Sequence, residues 1–482
     1  MIRQIAVRRA VLIGLVLVFS ICAFAKQDPA SSSDPRLRNA YSFERAGWVY
    51  VHLEGSPSEI GFQHGYLLEP EIVDGLKAIQ LLFTHDTKRD WSFYRDTAQN
   101  VLWPHIEAEY REELQGITDG LRARGASLDL WDVVALNAKE ELPDYYLPTL
   151  ERQQKGSAAA SLKAPGHCSA FVATGSWTKD HKPVIAHNNW SPFPDGSRFT
   201  VIFDIVPAKG YRMLMDGFPG IIVSDDDFTI NSAGLTITET TITGFSLYDP
   251  NGVPEFVRAR KAMQYANSID DFVRIMLEGN NGGYANDWLL ADNKTGEVAR
   301  FELGLKMHRV WRSKDGYFVG ANFPSDPEFI KKETNFNPND PSSSMNARHK
   351  RWDELMAQNK GQIDVALAQQ FISDHWDSYQ NKQEANERTL CGHLEDSPRG
   401  MPAWGRTPYY PDGAVTGKAA DSNMTKNMSF VARAGHPCGQ DFIADTFLTA
   451  HPEYSWMRPA LKDMKGNAWA EFKTGDKSQV GQ

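Results

Sequence analysis

Residues 166–190 read GHCSAFVATGSWTKDHKPVIAHNNW, and this stretch predicts a β-hairpin that begins at Cys168. Two apolar segments, 170–173 and 184–186, flank a polar turn at 179–181. Paired antiparallel strands bring their far ends together, so His187 and Trp190 return to the neighbourhood of Cys168. A thiol beside an imidazole is typical of a nucleophilic site, and we expect one here.

The composition is that of an ordinary folded protein. The chain has 482 residues, of which 41% are hydrophobic and 23% are charged, and its length admits one large domain or two. A formal net charge of −10 and a pI near 5.8 argue against nucleic acid as a partner, because binding phosphates requires a basic surface.

The N-terminus has the layout of a secretory signal. Arg3, Arg8 and Arg9 precede the apolar residues 10–25, which close on the sequence Ala-Phe-Ala at 23–25. Residues 1–25 are therefore predicted to be a cleaved signal peptide, and the mature protein to be secreted or periplasmic. An uncleaved membrane anchor is the alternative; no other stretch is apolar for long enough to cross a membrane.

Removal of the signal leaves three cysteines, which is an odd number for an oxidising compartment. Cys391 and Cys438 lie in similar loops with glycine and histidine neighbours, and we expect them to form a disulfide. Cys168 is then the unpaired thiol. It is either a reactive residue or an inert buried one.

The order of elements predicts packed α and β layers. A helix is expected to start at Ser56 or Ser58 and to reach Phe83, within a mostly helical region at 26–148, and strands dominate after Cys168. We divide the chain into a signal peptide (1–25), a helical segment with a linker (26–167) and a catalytic portion (168–482). The absence of regular β-α alternation argues against a doubly wound parallel sheet.

The polar linker at 149–164 ends just before Cys168, which suggests an N-terminal nucleophile. Cleavage between His167 and Cys168 would free an α-amino group to act as the base for the adjacent thiol. The two groups titrate near pH 8 and about 8.5, so the amine can hold the thiol proton at neutral pH. His167 either assists this cleavage or is an ordinary loop residue.

Several polar residues at predicted strand or helix ends are candidates for an oxyanion hole or a substrate site. They are Asn231, Asn286, Asn322, Arg348 and Arg351. Any one of the asparagines taken alone is better explained as a turn residue, and the set gains weight only together with Cys168.

Four segments resemble the phospholipase B-like proteins and the related penicillin acyltransferase family. These are residues 55–65, 166–190, 218–241 and 282–304. Both groups are N-terminal-nucleophile hydrolases, so the resemblance implies an α+β fold with four αββα layers.

The resemblance also implies roles for individual residues. Cys168 would be the autoproteolytic and catalytic nucleophile, with His187 as a catalytic neighbour. Trp190, Asn188 and Asn286 would contact the substrate.

The remaining roles rest on a wider group that includes bile-salt and penicillin V hydrolases. Asn231 and Asn322 resemble its substrate and oxyanion asparagines, and either Arg348 or Arg351 its site arginine. This wider group carries Arg and Asp where the present chain has His187 and Trp190, so the phospholipase B-like proteins are the closer match.

No metal and no cofactor are expected. His64, and His436 with Cys438, do not match a structural zinc spacing. The run Asp225-Asp226-Asp227 lacks the pattern of a calcium loop and is interpreted as a solvated turn.

The predicted function is cleavage of an amide or ester acyl bond through a Cys168 acyl-enzyme, with a small-molecule acyl amide or a lipid as substrate. The alternatives are an acyltransferase that uses the same acyl-enzyme and a secreted binding protein without catalysis. The oligomeric state stays open.

Overall fold

A computed structural model of the protein describes residues 34–155 and 168–477, which belong to one compact unit. The predicted signal peptide at 1–25 and His167 of the predicted cleavage site lie outside the described residues.

The helices are of moderate length, and none in the described part of the chain is long and apolar enough to cross a membrane. They are α1 (Pro57–Leu67), α2 (Glu69–Thr87), α3 (Trp91–Thr97), α4 (Ala108–Ala123), α5 (Leu130–Asn137), α6 (Leu147–Lys155), α7 (Phe193–Gly196), α8 (Glu255–Tyr265), α9 (Ile269–Leu277), α10 (Pro327–Glu333), α11 (Ser344–Gln358), α12 (Val365–Phe371), α13 (Ser422–Lys426) and α14 (Ala444–Ala450).

The strands are β1 (Tyr41–Arg45), β2 (Trp48–Gly55), β3 (Ser169–Thr174), β4 (Val184–Pro192), β5 (Val201–Pro207), β6 (Met213–Gly217), β7 (Phe228–Asn231), β8 (Leu235–Thr241), β9 (Asn286–Asp292), β10 (Glu297–Leu303), β11 (His308–Ser313), β12 (Gly316–Gly320), β13 (Trp376–Asp377), β14 (Lys382–Gln383), β15 (Asp412–Asp421), β16 (Ser429–Ala434) and β17 (Ala470–Lys473).

Two large sheets contain nearly all of these strands. Sheet A has nine strands in the order β1-β2-β5-β6-β7-β8-β9-β10-β11, and sheet B has six in the order β12-β3-β4-β15-β16-β17. Neighbouring strands are antiparallel except β2 and β5, which run parallel. The small pair β13-β14 stands apart from both sheets.

Three clusters of buried apolar residues separate four layers. The first cluster joins one face of sheet A to helices, with Phe203 and Leu290 against Ile72 and Ile117. The second fills the space between the sheets, and the third joins the outer face of sheet B to α11 and α12. The predicted αββα architecture is therefore confirmed.

Strand periodicity explains how one segment serves two clusters. Successive side chains of a strand point to opposite faces, so Val172 and Ile185 enter the space between the sheets while Phe171 and Ala186 face the helices. The strands that carry the predicted nucleophile are thus buried on both faces.

The predicted helix from Ser56 to Phe83 is two helices. Ser56 caps α1, and its hydroxyl and backbone N–H exchange hydrogen bonds with Glu59. α1 ends at Leu67 with Leu68 as its C-cap, because Pro70 has no N–H to donate to the preceding turn and instead occupies the first turn of α2.

The region 26–167 contributes more than helices, because β1 and β2 form one edge of sheet A. Residues on both sides of the linker therefore belong to a single sheet, and β2 pairs with β5 from the far side of Cys168. The proposed division of the chain at 167 remains a prediction.

Helices α1 and α4 cross at unusually close range through glycines. A Cβ atom built on Gly61 would lie 2.0 Å from the Glu113 carbonyl oxygen, and one on Gly65 would lie 2.0 Å from that of Ile117. Gly120 of α4 faces the same contact, where a Cβ would lie 2.2 Å from the Phe62 oxygen. Backbone therefore packs directly against backbone.

We expect Gly65→Ala to lower the free energy of unfolding by about 1–3 kcal/mol or more, because the obstructing atom belongs to a helix backbone that cannot rotate away. Gly316→Ala is the control, since its Cβ would meet only the rotatable side chain of Ser313, and we expect a change within about 1 kcal/mol. Urea unfolding of both variants measures the difference. Equal stability losses would contradict the close crossing.

Candidate active site

Cys168 immediately precedes β3, and the hairpin predicted from residues 166–190 is present. Ser169 pairs with Asn188 and Ala170 with His187, so continuing the register places Cys168 opposite Asn189. The Cys168 side chain is 0% exposed. By strand alternation it shares the face of Ala170 and Val172, which lines the space between the sheets.

Three polar side chains surround the sulfur. The thiol donates to Oδ1 of Asn189 across 3.7 Å. Sγ of Cys168, one ring nitrogen of His187 and one carboxylate oxygen of Asp227 all lie within 4.8 Å of one another. The structure therefore brings Cys168 and His187 together as predicted, and adds Asn189 and Asp227.

The electrostatics keep this group neutral. Burial raises the pKa of the Cys168 thiol, and the carboxyl groups of Asp227 and Glu239 raise it further. Burial also lowers the pKa of His187, and the nearby Lys418 ammonium lowers it further. At neutral pH the site thus holds a thiol and an uncharged imidazole rather than an ion pair.

The imidazole of His187 has spare hydrogen-bonding capacity. Neither ring nitrogen has a partner among residues 34–155 and 168–477, and the same is true of Nδ2 of Asn189. Both side chains are buried at the nucleophile. They can therefore accept or donate hydrogen bonds to a group placed beside the sulfur.

The interpretation of Asp225-Asp226-Asp227 as a solvated turn is wrong. Asp226 and Asp227 are buried, and Asp226 forms a 3.0 Å ion pair with Lys418, which also pairs with Asp216 at 3.0 Å. Lys418 lies opposite His187 on the adjoining strand. The Lys418 ammonium therefore compensates Asp226, while Asp225 forms a separate 3.0 Å ion pair with Lys139.

Asp227 and Glu239 form a second buried acidic contact. Burial and the neighbouring Glu239 carboxyl raise the pKa of Asp227, and burial raises the pKa of Glu239 to about 8. At neutral pH Glu239 therefore keeps its proton. This lowers the negative charge that faces Cys168.

Arg348 fixes the backbone of the nucleophile. Its guanidinium donates to the Cys168 carbonyl at 2.5 Å, to Ser169 Oγ at 3.1 Å, and to Oδ1 of Asn322 at 2.9 Å. Nε donates to Ser344 at 3.0 Å. All four acceptors are uncharged, and burial lowers the pKa of Arg348 to about 9, which leaves it cationic at neutral pH.

Arg351 does not face the nucleophile. It forms an ion pair with Asp374 at 2.8 Å, whereas the guanidinium of Arg348 contacts Cys168. Of the two arginines that the sequence left open, the structure therefore places Arg348 at the site.

Asn322 connects Arg348 to the end of β8. It adopts a left-handed conformation with φ 64°, and its Nδ2 donates to the Thr241 carbonyl at 2.9 Å. Asn286 pairs with Thr241 in the sheet, and neither atom of its side-chain amide has a partner in the described part of the chain. Asn322 thus contacts Arg348 directly, whereas Asn286 is linked to it through Thr241 and Asn322.

Trp190 and Asn188 lie on the opposite face of β4 from His187. The Arg348 guanidinium stacks 4.3 Å above the Trp190 ring. Asn188 accepts from the Ser169 amide and from Trp190 Nε1, and it donates to the Leu390 carbonyl. These contacts make Asn188 a structural support for the hairpin, which differs from its predicted role in substrate binding.

The structure does not bring Asn231 into the site. Its amide donates to the carbonyls of Met263 and Ala266, and its oxygen accepts from the Leu235 amide. It ends β7 at the opposite end from Asp227. Asn231 ties the β7-β8 turn to the end of α8, so the alternative of a turn residue is the better description.

The predicted disulfide between Cys391 and Cys438 is not confirmed. Both are free thiols, although they lie close together with His375 and His393. The sequence therefore identified the two cysteines and the adjacent His393 as neighbours, and it missed His375.

A cavity of about 1110 Å³ opens beside the end of β4. Ser191 and Pro192 from the end of β4 line it, as does Trp404, whose ring lies 6.1 Å from that of Trp190. Its charged lining residues are His85, Asp86, Lys88, Lys139, Glu140, Asp144, Glu151, Asp195, Arg406 and Glu453. Cys168 is not among the described residues that line the cavity.

Part of the chain matches a known protein family. Residues 77–311 match the family model described as Phospholipase B. The predicted resemblance is confirmed. The matched segment contains Cys168, His187, Asp227 and Glu239, and it ends before Asn322 and Arg348.

Several curated phospholipase B-like relatives match shorter segments. Putative phospholipase B-like 1 of Caenorhabditis elegans is 32% identical over 28% of this chain and 24% of its own length. Human putative phospholipase B-like 2 is 31% identical over 29% and 24%. An uncharacterized protein of Archaeoglobus fulgidus is 26% identical over 52% and 42%. The chain thus matches well under half the length of these relatives.

Among solved structures, a mutant of conjugated bile acid hydrolase from Clostridium perfringens is 13% identical, with a TM-score of 0.32 over 55% of this chain and 89% of that chain.

Among the site residues that the sequence analysis did not predict, Asn189 could have been identified from the strand pattern, whereas Asp227 and Lys418 could not. Asn189 follows His187 by two positions, so strand alternation alone places both on one face with Cys168. Asp227 and Lys418 carried no such signal, because Asp227 lies in the loop between β6 and β7 and Lys418 lies on β15, both far from the hairpin in sequence.

We expect Arg348→Met to lower the free energy of unfolding by about 2–4 kcal/mol, because it leaves the buried oxygens of Cys168 and Asn322 without their donor. Lys350→Met on the same helix removes a largely exposed cation that pairs with Glu354, and we expect a loss of about 1 kcal/mol or less. Denaturant unfolding of both variants provides the comparison. Similar losses would show that the Arg348 contacts do not hold the site.

Proposed function

We propose that the protein is a hydrolase that cuts its own chain between His167 and Cys168 and then uses Cys168 as an N-terminal nucleophile on an amide or ester acyl bond. The observation that carries the proposal is the position of Cys168. It stands at the start of β3 with its carbonyl held by Arg348 and its sulfur beside Asn189 and His187.

The choice of base follows from the electrostatics. His187 is a poor base, because burial and Lys418 lower its pKa. The thiol of the intact chain also resists ionisation, since burial and two nearby carboxyls raise its pKa. A new α-amino group on Cys168 would be adjacent to the sulfur and titrate near pH 8, so it is the better acceptor for the thiol proton.

Self-cleavage is an attack of the Cys168 thiol on the peptide bond that precedes it. Sγ of Cys168 attacks the His167 carbonyl carbon, the thiol proton passes to the Cys168 nitrogen, and the C–N bond breaks to leave a thioester. Water then hydrolyses the thioester, which releases the His167 carboxylate and restores the thiol. The second cycle repeats this chemistry on a substrate carbonyl, with the substrate's amine or alcohol as leaving group.

An oxyanion needs hydrogen-bond donors close to the sulfur. Nδ2 of Asn189 and a protonated ring nitrogen of neutral His187 are the candidates, because both lie beside Cys168 without a partner in the described ranges. Arg348 contributes a fixed positive charge that remains at neutral pH. It acts on the backbone of Cys168 and positions the nucleophile.

The cavity supports a substrate with a polar head. Its volume of about 1110 Å³ is at the upper end of the range of pockets for small ligands, and both acidic and basic side chains line it. A small acyl amide or a phospholipid would each supply polar groups for such a lining. If the predicted signal peptide is functional, this hydrolase acts outside the cytoplasm.

The first test is the intact mass and N-terminal sequence of the purified wild type. We expect two fragments, one of which starts at Cys168, and a single uncut chain for Cys168→Ala. Cys168→Ser is the matched control, because its hydroxyl can still attack the His167 carbonyl, and we expect slow but detectable cleavage. Cleavage of Cys168→Ala would assign the cut to another protease.

An uncut wild type would remove the free α-amine from the mechanism and favour the binding protein without catalysis. If cleavage occurs, the cut wild type is assayed on N-acyl amides and on phospholipid vesicles, each with and without an amine acceptor. Release of free acid identifies a hydrolase, whereas transfer of the acyl group to the amine identifies an acyltransferase. Loss of both activities in Cys168→Ser assigns the reaction to the thiol.

A further inference from the structure

Four potential metal ligands converge in a region that the proposed chemistry does not use. One ligand atom from each of His375, Cys391, His393 and Cys438 lies within 4.8 Å of the others. Three of the residues come from the segment between α12 and β15, and Cys438 comes from the loop that follows β16. The cluster therefore joins two separate loops on the helix-facing side of sheet B.

The orientation of His393 is that of a metal ligand. Its Nδ1 lies 2.8 Å from Oε1 of Glu395, so a proton on Nδ1 would be donated to the carboxylate. Nε2 then presents a lone pair toward both sulfurs. A carboxylate that fixes the imidazole in this way accompanies most histidines that bind metals in proteins.

The distances agree with the edges of a tetrahedron around zinc. Nε2 of His393 lies 3.5 Å from Cys391 Sγ and 3.6 Å from Cys438 Sγ. Typical bond lengths of about 2.3 Å for Zn–S and about 2.0 Å for Zn–N give a tetrahedral S···N separation of about 3.5 Å. One central ion can thus contact all three atoms without rearrangement.

One further observation points to a ligand. Nε2 of His375 is a buried atom and has no hydrogen-bond partner in the described residues, which is costly unless another group completes it.

We propose that His375, Cys391, His393 and Cys438 bind one Zn²⁺ ion in a closed, tetrahedral site. Two thiolates and two imidazoles match the preference of zinc, and four protein ligands leave no position for a substrate. The ion is therefore structural. This inference is independent of the proposed self-cleavage.

The site lies next to residues that support the nucleophile. Cys391 follows Leu390, whose carbonyl accepts hydrogen bonds from Asn188 and Trp190. Gly392 packs so closely on Trp190 that a Cβ atom there would lie 2.3 Å from the ring. Zinc at Cys391 would hold this segment against Trp190, which in turn stacks on Arg348.

The test measures zinc in the full-length wild type, purified without reductant from zinc-supplemented cells. We expect elemental mass spectrometry to find about one zinc ion per chain in the wild type. The zinc content should be on the order of ten-fold lower in Cys391→Ser, Cys438→Ser and His393→Gln. Cys168→Ser and His436→Gln are matched controls, and both should keep the zinc. His436 is a buried histidine beside Glu395 that the proposed site does not use.

Replacement of zinc by Co²⁺ in the wild type gives a readout that does not require a folded variant. We expect the visible bands of tetrahedral cobalt together with a thiolate charge-transfer band, and a lower Tm after chelation. Three results would overturn the proposal: a Cys391–Cys438 disulfide in non-reducing peptide maps, free thiols without zinc, or zinc that is lost from Cys168→Ser and retained by Cys391→Ser.

Discussion

The buried guanidinium of Arg348 is the constraint on which the geometry around Cys168 depends. A cation without a carboxylate partner is costly to bury, so every donor must find an acceptor. Those acceptors come from the start of β3, from the end of β12 and from α11 itself. The cost is offset only when these elements meet in one arrangement, and that arrangement aims the Cys168 side chain between the two sheets.

The same interior decides how the thiol can be activated. Burial raises the pKa of the Cys168 thiol, and the carboxyl groups of Asp227 and Glu239 raise it further. The Lys418 ammonium opposes this shift, but it is held in ion pairs with Asp216 and Asp226. A site of this kind needs a base that appears after folding. An α-amino group created on Cys168 would be such a base for the attack on substrates, whereas in the self-cleavage step the thiol proton passes to the departing Cys168 nitrogen.

The sequence correctly predicted the contacts that follow from the pattern of a single hairpin or helix. Alternation along the hairpin predicted that His187 returns to Cys168, and the start of α11 offered two candidate arginines. It failed where distant segments meet, because Asp227 and Lys418 reach the site from different parts of the two sheets. It also joined α1 to α2, although Pro70 breaks the helix by removing a backbone donor. Asn231 shows the reverse error, since a strand-end asparagine was assigned to chemistry while its amide holds a turn.

The three cysteines among the described residues differ in what they require. The sequence predicts a disulfide between Cys391 and Cys438 because both lie in loops with glycine and histidine neighbours. A zinc ion would cross-link the same two loops, and like a disulfide it would restrict the unfolded chain. Unlike a disulfide, it forms without an oxidant. The fold around Trp190 could then be fixed under conditions that leave the Cys168 thiol reduced, which a thiol nucleophile requires.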